Sequence, residues 1–375
     1  MSLTRLPGRT ADGVRSIGAL TSASTVRPPE PPASAPLVSV VIPCYNYADY
    51  LPGAVTSVLR QSGVRTEVII VDDCSTDSSL QVARNLAARH PNVHALEHRA
   101  NRGPVDTFND GLAAATGEFL VRLDADDLLT PGSLGRAVAV LARVDSIGMV
   151  YGHPLHFSGD VLPTPRTMTR AVTLWPGTDW LARRCRDGLN VITSPEVVMR
   201  MSVVDMVGGQ QPLAHTHDME MWMRIAAFSD VAYLRGCDQA WHRDHDQSLS
   251  ARKVDSLVDL AERRAAFDTL FAGIASTLPG ATQLRDAANR ALDRASIAAA
   301  RNEIDRGTAT PERLEHILSG VRSTSAKTRA EIDSVRRRAE CPSRASDLPG
   351  ISWRRLTHRL HYERSFHTWH RRGEF

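Results

Sequence analysis

A parallel α/β sheet covered by helices on both faces is the fold this sequence predicts. Two observations carry that expectation. From Leu37 onward, short apolar, β-branched runs alternate with segments that repeat their apolar residues at helical spacing. Several of the runs also end in polar or acidic turns, and ligands of such sheets gather at the carboxyl ends of the strands.

The elements follow in order. Residues up to 36 are rich in Ser, Thr, Ala and Pro and close with Pro28-Pro29-Glu30-Pro31-Pro32. They read as a flexible leader with a stiff end, order beginning at Leu37. Val38 to Ile42 is a buried strand stopped by Pro43, and Tyr50 to Gln61 a helix. Glu67 to Val71 is a second strand, closed by Asp72 and Asp73; Ser75 and Thr76 then cap a helix to Ala88. Val93 to Leu96 is a short strand, Val105 to Ala115 a helix, and Phe119 to Leu123 a strand. From Met149 to Ser250 the periodicity weakens, with more Pro, Gly, Trp and His. Helices are then expected over Val254 to Phe271, Gln283 to Ile304 and Pro311 to Glu340, the last opening on Pro as helix starts prefer. They suit an appendage on the main domain or a surface pairing subunits. Residues 341–375 are basic with interleaved aromatics, which fits a membrane-surface helix on anionic lipid or a solvated tail.

Composition narrows the function classes. The chain has 375 residues and a net charge of +3, too small to imply a nucleic-acid partner. Five scattered cysteines form no zinc or redox motif and suit a reducing cytoplasm. No apolar stretch reaches the roughly 18 residues of a membrane span, and the N-terminus lacks the apolar core of a secretory signal. A cytoplasmic protein is expected, peripheral at the inner face of the plasma membrane if the tail contacts lipid.

Asp124, Asp126 and Asp127 end the run Leu120-Val121-Arg122-Leu123. Carboxylates crowded at the end of a buried strand repel one another unless a cation sits among them. Asp124 and Asp126 point the same way in extended chain, and Mg²⁺ or Mn²⁺ often bridges protein carboxylates to phosphate oxygens. A metal holding a diphosphate is the chemistry this suggests, with a solvated Asp-rich turn as the plain alternative. His215 and His217 alternate in a loop, weak grounds for a separate zinc site.

Four segments together resemble the inverting nucleotide-sugar glycosyltransferases of glycosyltransferase family 2, with the GT-A fold. They are Val38 to Asn46, Val71-Asp72-Asp73-Cys74-Ser75-Thr76-Asp77, Asn101-Arg102-Gly103 with Asn109 to Ala113 and Thr116-Gly117-Glu118, and the acidic turn. The resemblance covers residues 37–250. It implies a mixed, mostly parallel central sheet, with a nucleotide and metal half over 37–127 and an acceptor half over 128–250. A helical extension (251–340) and the basic tail (341–375) follow.

The resemblance implies nucleotide contacts from Pro43, Tyr45, Asn46, Asp72, Asp73, Arg102 and Asp124, with helix capping as the other role for Asp72 and Asp73. It assigns Asp126 to the metal, Asp124 to the ribose or a metal-bound water, and His245 and Arg243 to the departing diphosphate and its ion. His215 to Arg224 looks like the helix bearing the catalytic base, Asp218, with His217 where the family has Glu and Glu220 as the next candidate. The implied partners are a UDP- or GDP-sugar donor and a glycan, lipid-linked or other hydroxyl acceptor, with Mn²⁺ or Mg²⁺ as cofactor. A processive synthase is disfavoured, because the Gln-x-x-Arg-Trp pattern is absent. Two other classes compete. A nucleotidyltransferase would show a Gly-rich phosphate loop near the first strand, which Pro43-Cys44-Tyr45-Asn46 is not. A non-catalytic nucleotide-sugar-binding module would not need Asp218 beside the other acids.

Overall fold

The computed structural model describes residues 16–245, 256–340 and 368–369. Its strands are β1 (Ser24–Val26), β2 (Leu37–Cys44), β3 (Arg65–Asp72), β4 (Val93–Glu97), β5 (Phe119–Arg122), β6 (Leu128–Leu129), β7 (Ile147–Phe157), β8 (Ala171–Trp175), β9 (Val197–Arg200) and β10 (Asp230–Arg243). The α-helices are α1 (Leu51–Leu59), α2 (Ser79–Arg89), α3 (Gly103–Ala114), α4 (Ser133–Arg143), α5 (Gly177–Asp187), α6 (Met201–Val207), α7 (His217–Phe228), α8 (Ser256–Ala272), α9 (Ala281–Arg306), α10 (Pro311–Ser319) and α11 (Ala326–Glu340).

Ten strands form one mixed sheet in the order β1-β8-β10-β7-β9-β5-β2-β3-β4, with β6 paired to β10. The run β5-β2-β3-β4 is parallel throughout, as is β10-β7. β2, first of the parallel strands in sequence, lies between β5 and β3, so the strand order reverses there and opens a crevice at the carboxyl ends. Alternation along β2 sends Val38, Val40 and Ile42 into the core under α1, α2 and α4, and Val41 into the core that includes α5, α6 and α7. Gly111 sits on that second face. A Cβ there would lie 2.4 Å from Val41 Cγ1, so the missing side chain is what lets α3 press onto the sheet.

Several boundaries differ from the sequence expectation. β2 runs on through Pro43 to Cys44. Its pairing with β5 ends at Val41, and Cys44 faces β3, so the missing N–H of Pro43 points to a side with no partner strand. α2 starts at Ser79 rather than at Ser75 and Thr76, because residues 74–77 are held in a turn by side chains described below. The helix expected over 311–340 is two helices, α10 and α11, parted at Gly320. Order also begins before Leu37: β1 pairs antiparallel with β8, the Ile17 N–H donates to Phe228 O at 2.8 Å, and Asp230 Oδ2 accepts from Ala19 and Leu20. Residues 1–15 of the expected leader lie outside the described residues.

The helical extension is packed on the domain. α9 lies on α5, α8 lies on α7, and both feed the core beneath that face. Of the basic tail, only Thr368 and Trp369 fall within the described residues. Trp369 is buried, donates Nε1–H to Val191 O at 2.8 Å and meets His153 edge to face, so this residue is neither a solvated nor a lipid-facing group.

Candidate active site

The acidic turn and the end of β10, more than a hundred residues apart, are joined by backbone. β6 follows the turn directly and pairs with Ala240 and Trp241, which sets His242, Arg243 and His245 against Asp126 and Asp127. His245 Nε2 lies 2.8 Å from Asp126 Oδ2 and stacks on Tyr50. Asp127 Oδ1 accepts the Arg243 N–H at 2.8 Å, and its Oδ2 lies 3.0 Å from His242 Nδ1. The Arg243 guanidinium donates to the Asp126 and Gly159 carbonyls and lies over the rings of Tyr50 and Phe157. Asp127 is thus a strut of the turn, and Arg243 spends its charge within the protein.

A cavity of about 440 Å³ opens beside this turn, lined by Arg122, Asp124, Ser194, His217, Asp218 and His242 among others. α8 supplies its outer wall with Asp259, Glu262 and Arg263. Glu262 grips the loop before α7: its carboxylate accepts the His215 N–H at 3.0 Å and its carbonyl accepts the Thr216 hydroxyl at 2.9 Å. The extension therefore shapes the site rather than hanging from it.

In the cavity and the acidic turn beside it, the acids are tuned in opposite directions. Burial pushes Asp218 up to about 7, although Oδ1 accepts the Met219 N–H at 2.6 Å and Oδ2 the Ser194 hydroxyl at 3.1 Å. Burial and the neighbouring Asp124 raise Asp126. Burial likewise raises Asp127 to about 7, while its partner His242 rises to about 9 on the strength of that pairing. Asp124 goes the other way. Burial would raise it too, but the Arg122 guanidinium, 3.0 Å from its Oδ1, holds it below the ordinary range. His217 is driven down to about 3 by burial and by Arg122, so an uncharged imidazole stands where the family carries Glu.

Arg122 was missed as a functional residue. It is buried, touches Asp124, donates to Gln210 Oε1 at 2.6 Å and lies over Phe108. The signal was present: a cation inside an apolar strand, two residues before an aspartate and so on its face.

Across the crevice, the turn after β3 is built for a polar ligand. Asn46 and Cys74 both take the left-handed conformation at φ +60°. Asn46 Oδ1 accepts the Thr76 N–H at 2.8 Å and the Asp77 N–H at 3.3 Å, while its own N–H donates to Ser75 Oγ. Asp72 is buried; its Oδ2 accepts the Ser75 N–H at 3.0 Å and its Oδ1 makes no hydrogen bond. A buried acceptor left open is costly unless something donates to it, and an N–H of a nucleobase would. Tyr45 is exposed and Pro43 half-buried at the strand end beside them.

Three expected contacts do not converge on the crevice. Asp73 accepts the N–H groups of Arg102 and Gly103 at 2.8 Å each and meets His98 Nδ1 at 2.7 Å, so its carboxylate ties down the 98–103 loop. Arg102 pairs with Asp106 and Asp110 along its own helix, which leaves no guanidinium aimed at a phosphate. Glu220 is buried in an ion pair with Arg224, whose other donors go to the carbonyls of Val207, Gly208 and Gly209. It braces α6 against α7 and is not a second base. Asp218, by contrast, lies in the first turn of α7 and lines the cavity.

The fit to a hard divalent ion rests on Asp126. Its carboxylate is buried with a rising pKa and His245 beside it, a state that a cation would relieve. Asp124, Asp126 and His245 do not close into a compact set of three, since Arg122 draws Asp124 aside. Mg²⁺ and Mn²⁺ take remaining ligands from phosphate and water, so one carboxylate with a neighbouring imidazole is compatible with them. Residues 246–250 of the expected closing loop lie outside the described residues.

A mixed sheet with acidic turns at the carboxyl ends of its parallel strands defines a GT-A type nucleotide-binding fold. Residues 39–205 match the model of glycosyl transferase family 2. An uncharacterised glycosyltransferase of Nostoc sp. is 44% identical over 114 residues, 30% of this chain and 35% of the relative. The succinoglycan biosynthesis protein ExoO of Rhizobium meliloti is 38% identical over 120 residues, 32% of this chain and 33% of that one. The aligned stretch thus spans about a third of these relatives' length. Among solved structures, S. aureus TarS 1–349 in complex with UDP-GlcNAc superposes with a TM-score of 0.57 at 18% identity, covering 80% of this chain and 88% of that one. The mannosyltransferase PcManGT of Pyrobaculum calidifontis, in complex with GDP-Man and Mn²⁺, gives 0.50 at 20% identity, covering 83% and 88%.

Proposed function

We propose that this protein transfers a glycosyl group from a UDP- or GDP-sugar to an acceptor hydroxyl with inversion at the anomeric carbon. The observation that carries the reading is Asp218: a carboxylate raised to about 7 by burial, oriented by Ser194 and the Met219 N–H, in one cavity with Asp124. A base with its pKa near the working pH takes a hydroxyl proton efficiently. As the acceptor oxygen bonds to the anomeric carbon, its proton passes to Asp218, and the bond to the diphosphate breaks with its electron pair leaving on the nucleotide. Asp72 Oδ1 would receive a base N–H, and the turn held by Asn46 would carry the ribose side. Asp126, with His245, would hold Mn²⁺ or Mg²⁺, which when bound stabilises charge on the leaving diphosphate.

The nucleotides of the two structural neighbours, UDP-GlcNAc and GDP-Man with Mn²⁺, support the donor and metal class. The name of ExoO, a succinoglycan biosynthesis protein, supports an acceptor in polysaccharide synthesis. No helix among the described residues is long and apolar enough to cross a membrane.

The test is nucleoside-diphosphate release from a panel of UDP- and GDP-sugars, with Mn²⁺ or Mg²⁺ and then with excess chelator. Release from at least one donor is expected, falling to background on chelation and in Asp126→Ala. Turnover that survives the chelator would refute the metal role, and no turnover from any donor would refute the transferase.

A further inference from the structure

We propose that His156, His242 and Asp244 form a second metal site, for a borderline transition ion such as Zn²⁺, Co²⁺ or Ni²⁺, at the rim of the reaction cavity. It does not depend on the sugar-transfer reading. The three residues are brought together by sheet register. His156 of β7 is the partner of His242 in the parallel β7–β10 ladder, and Asp244 follows two residues later on the same side. The Asp244 N–H donates to Phe157 O at 2.8 Å, so its carboxylate rides on paired backbone rather than on a free loop.

One ligand atom from each residue lies within 4.8 Å of the other two, the single such group of three among the described residues. A four-coordinate ion with bonds of 2.0–2.1 Å needs ligand atoms about 3.3 Å apart. His156 Nδ1 and Asp244 Oδ1, at 3.2 Å, already meet that spacing. Their side chains are 47% and 56% exposed, so rotamer changes can close the remaining gap to His242. The two imidazoles stand 5.0 Å apart, inclined at 72°, and so do not stack face to face.

What separates this cluster from an ordinary exposed His–Asp pair is the support behind His242. Its Nδ1 is held at 3.0 Å by Asp127, a carboxylate with 1% of its surface exposed. Metal-binding histidines are oriented this way, one nitrogen fixed by a carboxylate and the other taken by the ion in exchange for its proton. Asp127 is itself fixed by the Arg243 N–H, so the ring is braced from the buried side. Two imidazoles and one carboxylate favour Zn²⁺, Co²⁺ or Ni²⁺ over Mg²⁺, whereas the oxygen-rich turn at Asp126 favours the reverse. An ion here would tie the ends of β7 and β10 together one residue before His245, and so restrain the side chain that meets Asp126.

Co²⁺ titration of the full-length, metal-stripped protein in excess Mg²⁺, followed by visible absorption, tests the site without any donor present. One equivalent with intense four- or five-coordinate bands is expected, lost in His156→Ala and in Asp244→Asn and retained in Asp126→Asn. Far-UV circular dichroism should be unchanged in the first two, whose side chains are exposed. Absence of a saturable band would overturn the proposal, as would a band that survives His156→Ala or disappears in Asp126→Asn.

Discussion

In the turn after β3, Asp73 and Asp77 are surrounded by donors: Asp73 takes the N–H groups of Arg102 and Gly103, and Asp77 those of Ala48 and Ser79. Across the crevice, Asp218, Asp126 and Asp127 are set deeper than the exposed Asp77, their hydrogen bonds do not offset that burial, and all three are raised. Burial acts on Asp77 as well, yet its hydrogen bonds outweigh it and hold the carboxyl below the ordinary range. The same residue type therefore serves two ends. Where hydrogen bonds outweigh burial, as at Asp77, the carboxylate stays ionised and fixes loop shape; where burial prevails, it keeps a proton affinity that chemistry can use. Asp124 marks the border, since it lies on the chemical side but is held ionised by Arg122.

Replacing Asp218 tests the chemical side and carries the largest expected effect. Asp218→Asn should lower the transfer rate by about 10²–10⁴-fold with donor affinity little changed. In the wild type, the rate should fall as pH drops through about 7, because the base must be ionised. Stability should run the other way. The folded pKa of about 7 exceeds the unfolded value of about 3.9, so the folded chain holds the extra proton between them. Stability contributed by this group is complete below about pH 4 and declines as pH rises to about 7. Melting curves should therefore find Asp218→Asn more stable than the wild type at pH 8, with the difference closing toward pH 4. Equal melting at pH 8 would remove Asp218 from the group that burial raises.

Glu220 comes next, because it lies two residues from Asp218 on the same helical turn yet belongs to neither class. Its charge is matched by Arg224 inside the core, so its loss should be felt in folding and not in proton transfer. Removing one partner of a buried pair costs about 3–5 kcal/mol. For Glu220→Gln the low end is expected, since three carbonyls still receive the Arg224 guanidinium. Chemical denaturation gives the stability loss. The pH–rate profile of the folded fraction should keep its midpoint; a moved midpoint would bring Glu220 into the proton path.

Much of this architecture was legible beforehand because backbone pattern is local. The strand–helix alternation from Val38 to Arg122 is written in β-branched runs and turn residues, and the acidic turn announced itself at Asp124 and Asp126. What escaped was decided by partners distant in sequence. Asp73 and Arg102 read as ligand contacts until each was seen spending its charge on a neighbouring loop or helix. Glu220 read as a base because Arg224, one turn away, could equally have faced solvent. The helical extension showed its amphipathic faces, but nothing in residues 256–272 told that Glu262 would close the cavity around His215 and Thr216. Ser75 and Thr76 looked like caps because capping is a local rule, whereas Asn46, thirty residues earlier, takes the Thr76 N–H for itself.

Asn46 supplies the smallest and cleanest test of the binding side. It combines two separable features, a left-handed backbone at φ +60° and an Oδ1 that accepts from Thr76 and Asp77. Asn46→Gly keeps the conformation at little steric cost and removes only the acceptor, which for a capping side chain is worth about 0.5–2 kcal/mol. Asn46→Ala removes the acceptor and adds the left-handed penalty of about 1–2 kcal/mol. Denaturation curves should therefore order the proteins wild type, Gly, Ala. Donor affinity by calorimetry should fall in the same order, because the 74–77 turn loosens, while the turnover number at saturating donor stays near wild type. Should the Gly variant lose turnover number instead of affinity, the turn after β3 would be taking part in the chemistry, and the division between the two sides of the crevice would not hold.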